Sequence, residues 1–327
     1  MGALCVLAAS VLWGTTGTAA TFAPNVGPLA IGAVAMGLGG LLQALIAAPG
    51  IVHHASRLRE RRGTVLLGAG SVAVYPLAFY SSMHLAGVAV GTVVSIGTAP
   101  LASVLIERVV DGRRLTRRWT FAATLGLLGT LLLCVAEASH ADVGAEGGSV
   151  AATLLGTGLG LVAATTYALY AWSAHRLIAR RIPSHAAMGA VFGIGGLVLL
   201  PVLAVTGAPL VDSWSDAAVG AYMALIPMFV GYVLFGRGLA RVPASTATTL
   251  SLLEPAVAAV LAVAVVGERL PATGWTGVTL VVACLAVITL PAPAPRNRQP
   301  GATAFPDPRK KRTSTRTPKR GTNAGKL

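Results

Sequence analysis

Hydrophobic residues occur along this chain in ten long runs, each close to the about 20 residues that an α-helix needs to cross a bilayer. Charged residues, prolines and polar clusters separate the runs. The pattern predicts an all-α integral membrane protein with ten transmembrane helices. The predicted spans are 2–22, 28–48, 64–82, 88–110, 119–135, 150–173, 185–205, 217–235, 244–266 and 275–290.

The first run is predicted to be a retained helix, because it lacks the basic start and the small-residue cleavage site of a secretory signal. Composition agrees with a membrane protein. Of the 327 residues, 54% are hydrophobic and 11% are charged, with a mean hydropathy of +0.73. Soluble domains carry about 25% charged residues, so this composition excludes an ordinary soluble enzyme.

Basic and acidic residues alternate from loop to loop. The loops after the second, fourth, sixth and eighth spans are rich in arginine, and the opposite loops carry acids. By the positive-inside rule, this asymmetry predicts that both termini are cytoplasmic. The basic positions are Arg57, Arg59, Arg61, Arg62, Arg113, Arg114, Arg117, Arg118, Arg176, Arg180, Arg181, Arg237 and Arg241, and the acidic ones are Glu137, Asp142, Glu146, Asp212, Asp216 and Glu268.

The two halves of the chain resemble each other at an offset of 155 residues. Segment 100–115 matches segment 255–270, and Arg57 falls on Asp212. Because each unit has an odd number of helices, five, the second copy enters the membrane in the opposite orientation. The charges of corresponding loops must then change sign. We therefore predict two inverted five-helix repeats, the architecture of alternating-access carriers whose site lies between the halves near the midplane.

This repeat divides the chain into four parts. Residues 1–136 form the first repeat, 137–149 an acidic extracytoplasmic linker and 150–290 the second repeat, followed by a tail over 291–327. Ten of the 25 Lys and Arg residues lie in the last 32 positions. Low hydrophobicity with high charge predicts that the tail is disordered. On the cytoplasmic side, its basic residues are expected to be attracted to anionic lipid, which we favour over nucleic acid as the partner of the tail.

Short motifs recur at matching places in the two halves. Trp13-Gly14 lies in the first span, Pro100 precedes Gly112, and 253–255 reads Leu-Glu-Pro ahead of Gly-Glu-Arg-Leu at 267–270. In these motifs and their order, the chain resembles the EamA-type ten-helix carriers of the drug/metabolite transporter superfamily. That resemblance implies secondary transport of small metabolites, often export of amino acids or related compounds, commonly linked to the proton gradient. Arg113 departs from the family, which often has an acid there.

Glu254 is the strongest single candidate for a functional group. It lies about ten residues into the ninth span, near the predicted midplane. A central acidic residue costs about 2.5 to 3.5 kcal/mol on insertion scales, so it indicates a function by default. Two interpretations stay open. The carboxyl group exchanges a proton for a cationic or zwitterionic substrate, or it stays protonated and makes a hydrogen bond between helices.

Pro100 and Pro255 predict kinks at matching positions in the two halves. Proline lacks an N–H and clashes with the carbonyl four residues earlier, so the ninth span is expected to kink and to free the Ser251 carbonyl. Kinked helices in corresponding positions point to a carrier's binding site. The alternative is that prolines are simply common in membrane helices.

Six aromatic residues fall in the middle of predicted spans and are candidates to line a cavity, where their rings stack on or hydrogen-bond a substrate. The alternative for each is helix packing or contact with lipid. Glu107 lies near the cytoplasmic end of the fourth span, and we expect it at the interface, without a role in the site. The cavity-lining candidates are Trp13, Tyr75, Tyr80, Tyr167, Tyr170 and Tyr232.

Catalysis, a cofactor and a metal are not indicated. The glycine cluster at 156–160 lies inside an apolar span without a lysine, the cysteines have no metal-ligand spacing, and no Ser, His and acid triple is positioned. We therefore predict a carrier, not an enzyme, in a bacterial inner membrane, exporting a small molecule with protons as coupling ion. The alternatives are an uptake carrier of the same fold, or a scaffold acting through its basic tail. Oligomeric state is not determined.

Overall fold

The computed structural model shows ten helices that are long and apolar enough to cross a membrane. It describes residues 1–114, 116–138, 150–266 and 269–290, and it shows no strand within these ranges. The predicted linker from residue 139, Gly267, Glu268 and the basic tail lie outside them. The helices are α1 Gly2–Ala20, α2 Pro28–His53, α3 Arg62–Ala86, α4 Val90–Asp111, α5 Arg117–Ala136, α6 Val150–Ala179, α7 Ser184–Thr206, α8 Trp214–Leu239, α9 Ala244–Val265 and α10 Ala272–Thr289.

The predicted fold class is confirmed, since each predicted span corresponds to one of these helices. The largest disagreement is at the end of α6, which continues to Ala179 instead of ending at residue 173. Polar side chains in this extra turn have partners on other helices. The Nδ1 of His175 lies 2.8 Å from the Leu239 carbonyl oxygen, and Arg176 pairs with Asp111 at 2.6 Å. These tertiary contacts extend a helix that hydropathy alone would end.

Three of the helices are interrupted within the membrane. In α1, helical segments Gly2–Gly14 and Thr16–Ala20 are separated at Thr15, whose hydroxyl donates to the Leu12 carbonyl oxygen at 2.6 Å. In α4, a bend at Thr98 precedes the segment Ala99–Asp111. In α9, Ser251 and Leu252 form a turn between two further segments, Ala244–Leu250 and Leu253–Leu261.

Helix pairing is reciprocal between the two halves of the bundle. Two helices pack against their own counterparts in the other half: α2 against α7, and α5 against α10. The remaining pairs exchange places between the halves, since α3 packs against α6 and α1 packs against α8. This is the pairing expected when two five-helix units interlock around a pseudo-twofold axis. The exact offset of 155 residues remains a prediction.

Glycines bring the backbones of α5 and α10 into direct contact. A Cβ placed on Gly129 would lie 2.8 Å from the Gly277 carbonyl oxygen, and one on Gly277 would lie 2.7 Å from that of Gly129. Small residues permit such close approach between membrane helices. On the outer surface of the bundle, Leu45, Leu105 and Leu154 are largely exposed. A bilayer offers these side chains the apolar surroundings that water does not.

Candidate functional site

The interruption in α9 places Glu254 in the first turn of the helix's second segment. Pro255 has no N–H to offer the Ser251 carbonyl. This carbonyl instead accepts a hydrogen bond from the Glu254 N–H at 3.0 Å. The expectation that the Ser251 carbonyl is freed is therefore wrong, because a tight turn satisfies it one residue earlier.

Pro100 lies at the start of the segment Ala99–Asp111, directly after the bend at Thr98. A proline in the first helical turn costs little, because the N–H it lacks would have no helical partner there. Both prolines thus lie in the first turn of a new helical segment within an interrupted span. Neither proline lines the cavity described next, although Pro255 directly follows Glu254.

One cavity lies among α1, α2, α3, α6, α8 and α9, so both halves of the bundle contribute residues to it. Its volume is about 30 Å³, which is room for roughly two water molecules. Glu254 and all six aromatic candidates line it. The lining residues are Trp13, Thr16, Ala35, Met36, Tyr75, Pro76, Phe79, Tyr80, Tyr167, Tyr170, Met228, Tyr232 and Glu254.

The aromatic rings that line the cavity touch one another. The ring centroids of Tyr167 and Tyr170 are 5.1 Å apart, and Tyr75 lies 5.6 Å from Tyr167 and 5.7 Å from Tyr170. On the other side, Trp13 lies 4.8 Å from Tyr232. These separations are typical of aromatic pairs that stabilise each other. The rings form a continuous aromatic wall around much of the cavity.

Two aromatic residues behind this wall escaped sequence reasoning. Phe192 and Phe235 are fully buried, and each packs its ring against Tyr232 at 4.4 and 6.0 Å. Their role is to support the ring that faces the cavity. An apolar phenylalanine in an apolar span carries no polar group that would mark it in the sequence.

Hydrogen bonds hold several wall residues in place. Trp13 Nε1 donates to the Pro227 carbonyl oxygen at 2.9 Å, within the π-helical segment Ala224–Val230 of α8. This bond accounts for a tryptophan in the middle of the membrane. The hydroxyl groups of Tyr170 and Tyr232 lie 2.8 Å apart. π-Helical segments such as the one in α8 are frequent at functional sites.

The α9 turn is tied to the wall by another hydroxyl pair. Tyr167 Oη lies 2.6 Å from Ser251 Oγ, which in turn donates to the Thr248 carbonyl oxygen at 2.8 Å. This contact joins α6 to α9 at the point where α9 is interrupted. The position of the Glu254 turn is therefore coupled to the aromatic wall.

Glu254 itself is half-buried, and its carboxyl group has no hydrogen-bond or ion-pair partner among the residues that the structure describes. The alternative role of Glu254, a hydrogen bond between helices, is thus not found among these residues. None of the lining residues is a lysine, arginine or histidine. The cavity combines one carboxyl group, several hydroxyl groups and a large aromatic surface.

On the predicted cytoplasmic side of the cavity, Glu107 joins α4 to α9. It is 5% exposed, and its carboxylate accepts hydrogen bonds from the Ser245 N–H at 3.0 Å and the Ser245 hydroxyl at 2.8 Å. One helical turn away, the hydroxyl of Thr248 donates to Ser103 Oγ at 3.1 Å. The sequence indicates no role for Glu107, because Ser245 lies 138 residues away along the chain.

Asp111 makes a second polar connection from the end of α4, this time to α6. Its carboxylate accepts from Arg176 at 2.6 Å and from Trp172 Nε1 at 2.7 Å. The Arg176 guanidinium also lies 4.8 Å from the centre of the Trp172 ring. Together with the Glu107 contacts, these bonds link the first half of the chain to the second at one end of the bundle.

Comparison with known proteins agrees with this architecture. The model of the EamA-like transporter family matches the chain twice, over residues 1–135 and 154–290. The chain is 33% identical to the uncharacterized transporter YwfM of Bacillus subtilis over 297 residues, which cover 90% of this chain and 95% of YwfM. Identity to the threonine/homoserine exporter RhtA of Escherichia coli K12 is 27%, over 82% of this chain and 83% of RhtA.

Solved structures of similar fold include one crystal structure. It superimposes with a TM-score of 0.69 and 22% identity, over 88% of this chain and 96% of the other. At this level of identity the likeness concerns the fold alone. The relatives and the ten helices show that this protein is a multi-pass membrane transporter, as the sequence resemblance implied.

Proposed function

The chain belongs to the EamA-like transporter family, and from this premise we propose that it exports amino acids or similar small metabolites across a bacterial inner membrane. The proposed mechanism is secondary transport by alternating access, coupled to protons, with both termini in the cytoplasm. The observation that best supports the proposal is the cavity between the two halves, which is lined by Glu254 and seven aromatic side chains. The similarity to RhtA, a threonine/homoserine exporter, supports the proposed substrate class and the proposed direction of transport.

Glu254 is the proposed coupling group. Its carboxyl group borders the cavity and has no partner among the described residues. The group is therefore free to bind either a proton or a positively charged substrate. A buried carboxylate without a paired charge is costly, so the state in which Glu254 holds neither a proton nor a substrate is unfavourable. Substrate and proton would therefore replace each other at Glu254, and this replacement is the basis of an exchange cycle.

Alternating access is supported by the size of the cavity and by the contacts beside it. A volume of about 30 Å³ lies well below the about 300 to 1,000 Å³ of typical ligand pockets, so the bundle has to open to admit a metabolite. The contacts of Glu107 and Asp111 cross between the halves at the proposed cytoplasmic end. We propose that they close the cytoplasmic entrance in this conformation and break when the halves rock apart.

The proposed division of the chain follows from the same scheme. Residues 1–136 and 150–290 are the two moving units, 137–149 is the extracytoplasmic connection, and the basic tail 291–327 approaches anionic lipid on the cytoplasmic side.

The primary test is a metabolite-release profile of bacterial cells that overexpress the chain, compared with Glu254→Gln at matched membrane levels. Glu60→Gln is the matched control, since it removes an exposed carboxylate outside the cavity. We expect the wild type and Glu60→Gln to release one compound class and Glu254→Gln to release none. Equal release by all three would refute the role of Glu254, and accumulation in place of release would favour uptake.

Two further arms separate the remaining alternatives. In vesicles containing the purified chain and an internal pH dye, proton exchange predicts that the interior acidifies as substrate leaves. Transport without any change in pH would refute proton coupling but not transport. A scaffold acting through its tail predicts that deletion of 291–327 abolishes the phenotype while Glu254→Gln has no effect, whereas the carrier proposal predicts the reverse.

A further inference from the structure

We propose that an open groove between α1, α8 and α9 is the exit through which the substrate leaves, and that the segment Thr16–Ala20 of α1 is its gate. The inference rests on the proposed function and deepens it by assigning the path of release. Thr15, Tyr222 and Leu261 are among the residues that line the groove. Its volume is about 440 Å³, a size typical of ligand pockets, whereas the central cavity is closed and far smaller.

The groove lies at the proposed extracytoplasmic end of the bundle. α1 ends there and α8 begins, and the Ser215 hydroxyl group donates to the Phe22 carbonyl oxygen at 2.9 Å. Both residues line the groove. Asp212 and Asp216 lie beside Ser215 in the sequence, and the positive-inside rule places such an acidic connection outside the cytoplasm. A substrate that enters the groove has therefore left the cytoplasmic side.

Neighbouring residues of α1 face the groove and the central cavity. Thr15 lines the groove, and Thr16 lines the cavity. The hydroxyl groups of Thr15 and Tyr222 lie 2.7 Å apart. Thr15 uses its one hydroxyl proton in the bond to the Leu12 carbonyl oxygen, so Tyr222 is the donor in this pair. The Tyr222–Thr15 bond ties α1 to α8 between the two spaces.

The packing of α1 changes at its interruption. A Cβ on Gly14 would lie 2.9 Å from the Glu254 carbonyl oxygen, so the segment before Thr15 is in close contact with α9. In the segment Thr16–Ala20 no residue is buried, and a Cβ on Gly17 would meet nothing within 4 Å. Segments with few buried contacts move at low cost in free energy. The break at Thr15 thus separates a fixed part of α1 from a part that is able to move.

The corresponding part of the second half is closed. At the predicted offset of 155 residues, Ala19 and Phe22 correspond to Ala174 and Leu177 of α6. Ala174 and Leu177 are at most 1% exposed, whereas Phe22 is 58% exposed. α6 is continuous there and packs against α4 at the proposed cytoplasmic end. The groove is therefore the open form of an interface that is closed at the other end, as expected for inverted repeats in one of two alternating states.

Two movements of the gate follow from this arrangement. When the Tyr222–Thr15 bond breaks, the central cavity joins the groove and the substrate is released. When the cytoplasmic side opens, Thr16–Ala20 packs against α9 as α6 now packs against α4, and the groove closes. The groove also suits an amino acid, because hydroxyl groups are able to donate to a carboxylate and to accept from an ammonium group. Its lining includes the hydroxyl-bearing residues Thr15, Thr18, Ser215 and Tyr222.

Thiol labelling of intact cells tests the exit. In a full-length chain without its three cysteines, Thr18→Cys places a thiol in the lining of the groove. The reagent is a methanethiosulfonate that carries a trimethylammonium group and does not cross membranes. Added from outside, it is expected to react with Thr18→Cys and to stop export of the metabolite, because the attached cation fills the path. Ala19→Cys is a second reporter in the same lining.

Val211→Cys and Ser173→Cys are the matched controls. Val211 is 81% exposed at the same end of the bundle but does not line the groove, so its cysteine should react without an effect on export. Ser173 is the counterpart of Thr18 in the second half and is fully buried, so its cysteine should not react from outside. The variants are compared at matched membrane levels, and export before labelling shows that each is folded.

Access to the central cavity tests the Tyr222–Thr15 bond. Met36 lines the cavity and is 2% exposed, so Met36→Cys reports when the reagent reaches it. We expect Tyr222→Phe to raise the rate of this labelling about two- to tenfold, the factor given by the net loss of one hydrogen bond. Thr15→Val should act in the same direction. Thr157→Val is the control, since it removes an exposed hydroxyl group that bonds only within α6.

Four outcomes would overturn the inference: no reaction of either groove cysteine from outside, reaction only from the cytoplasmic side of inverted vesicles, full export after the reaction, or an unchanged labelling rate of Met36→Cys in Tyr222→Phe. With export intact, each of these results leaves the proposed function in place. The proposed function fails separately. If the labelling follows these expectations but neither cells nor vesicles transport any compound, the groove is an opening to the cavity and the carrier activity is refuted.

Discussion

The carboxylate of Glu107 accepts two hydrogen bonds from Ser245, one from its backbone N–H and one from its hydroxyl group. These bonds connect α4 in the first half of the chain to the start of α9 in the second. The N–H groups at a helix start lack helical partners and favour a negative charge, so this pairing stabilises both groups. It accounts for an acidic residue that is 5% exposed in an otherwise apolar region.

A disulfide across this contact should lock the transporter. In a chain whose Cys5, Cys134 and Cys284 are replaced by alanine, Ser103→Cys with Thr248→Cys places two thiols where hydroxyl oxygens lie 3.1 Å apart. We expect the pair to oxidise readily and transport to stop, because α4 and α9 can no longer separate. Reduction should restore transport. Each single-cysteine variant is the control. Full activity of the cross-linked protein would contradict the proposal that these contacts close the cytoplasmic entrance.

The inverted repeat predicts the counterpart of this contact on the opposite side. At an offset of 155 residues, Ser103 corresponds to Ala258 and Thr248 to Val93. These apolar positions should meet when the cytoplasmic side opens and the other side closes. We expect Val93→Cys with Ala258→Cys to cross-link in a minor fraction of the protein, and to a greater extent when Glu107→Gln weakens the cytoplasmic contact.

The yield of cross-linked protein on a denaturing gel measures this exchange. Glu60→Gln in the same cysteine background is the control, since Glu60 lies outside the contact. An unchanged yield with Glu107→Gln would mean that Glu107 does not favour the closed cytoplasmic side. A pair that never cross-links would contradict the predicted offset.

Tyr167 and Ser251 should be energetically coupled. Their hydroxyl oxygens are 2.6 Å apart, and the contact ties α6 to the interrupted α9. Tyr167→Phe and Ser251→Ala are each expected to lower the free energy of unfolding by about 1 kcal/mol, since a buried hydrogen bond contributes about 0.5 to 1.5 kcal/mol. The double variant should cost less than the sum of the two single ones. Additive losses in thermal unfolding would show that the two groups act independently.

Gly129 should tolerate no side chain. A Cβ there would meet the Gly277 carbonyl oxygen at 2.8 Å, so Gly129→Ala has to push α5 away from α10. We expect a loss of about 1 to 3 kcal/mol in stability, as for other overpacked interiors. Gly158→Ala is the matched control, because a Cβ at Gly158 meets nothing within 4 Å. Equal unfolding temperatures for the two variants would contradict close contact between α5 and α10.

Much of the site was accessible from single residues. Trp13, five tyrosines and Glu254 were selected because polar or amphipathic groups are costly in the middle of an apolar span, and the structure places all of them around one cavity. Whether they bind substrate remains a prediction. Phe192 and Ser245 were missed for opposite reasons. A phenylalanine is ordinary in a membrane helix, and a serine near a helix start is ordinary as a first-turn residue.

The amino-acid sequence alone was enough to predict the ten helices, their approximate ends, the alternation of charge between loops and the candidate midplane carboxyl group. These features depend on local hydrophobicity and on the length of a bilayer, both of which can be read along a single segment. Which faces of the helices meet depends on the tertiary packing. It brought Glu107 to Ser245, turned the α9 interruption toward Tyr167, and let the Ser251 carbonyl find a partner in the Glu254 N–H. Apolar residues cover nearly every face of these helices, so no local pattern encodes which face points inward. The rotation of each helix about its axis follows from contacts between distant segments.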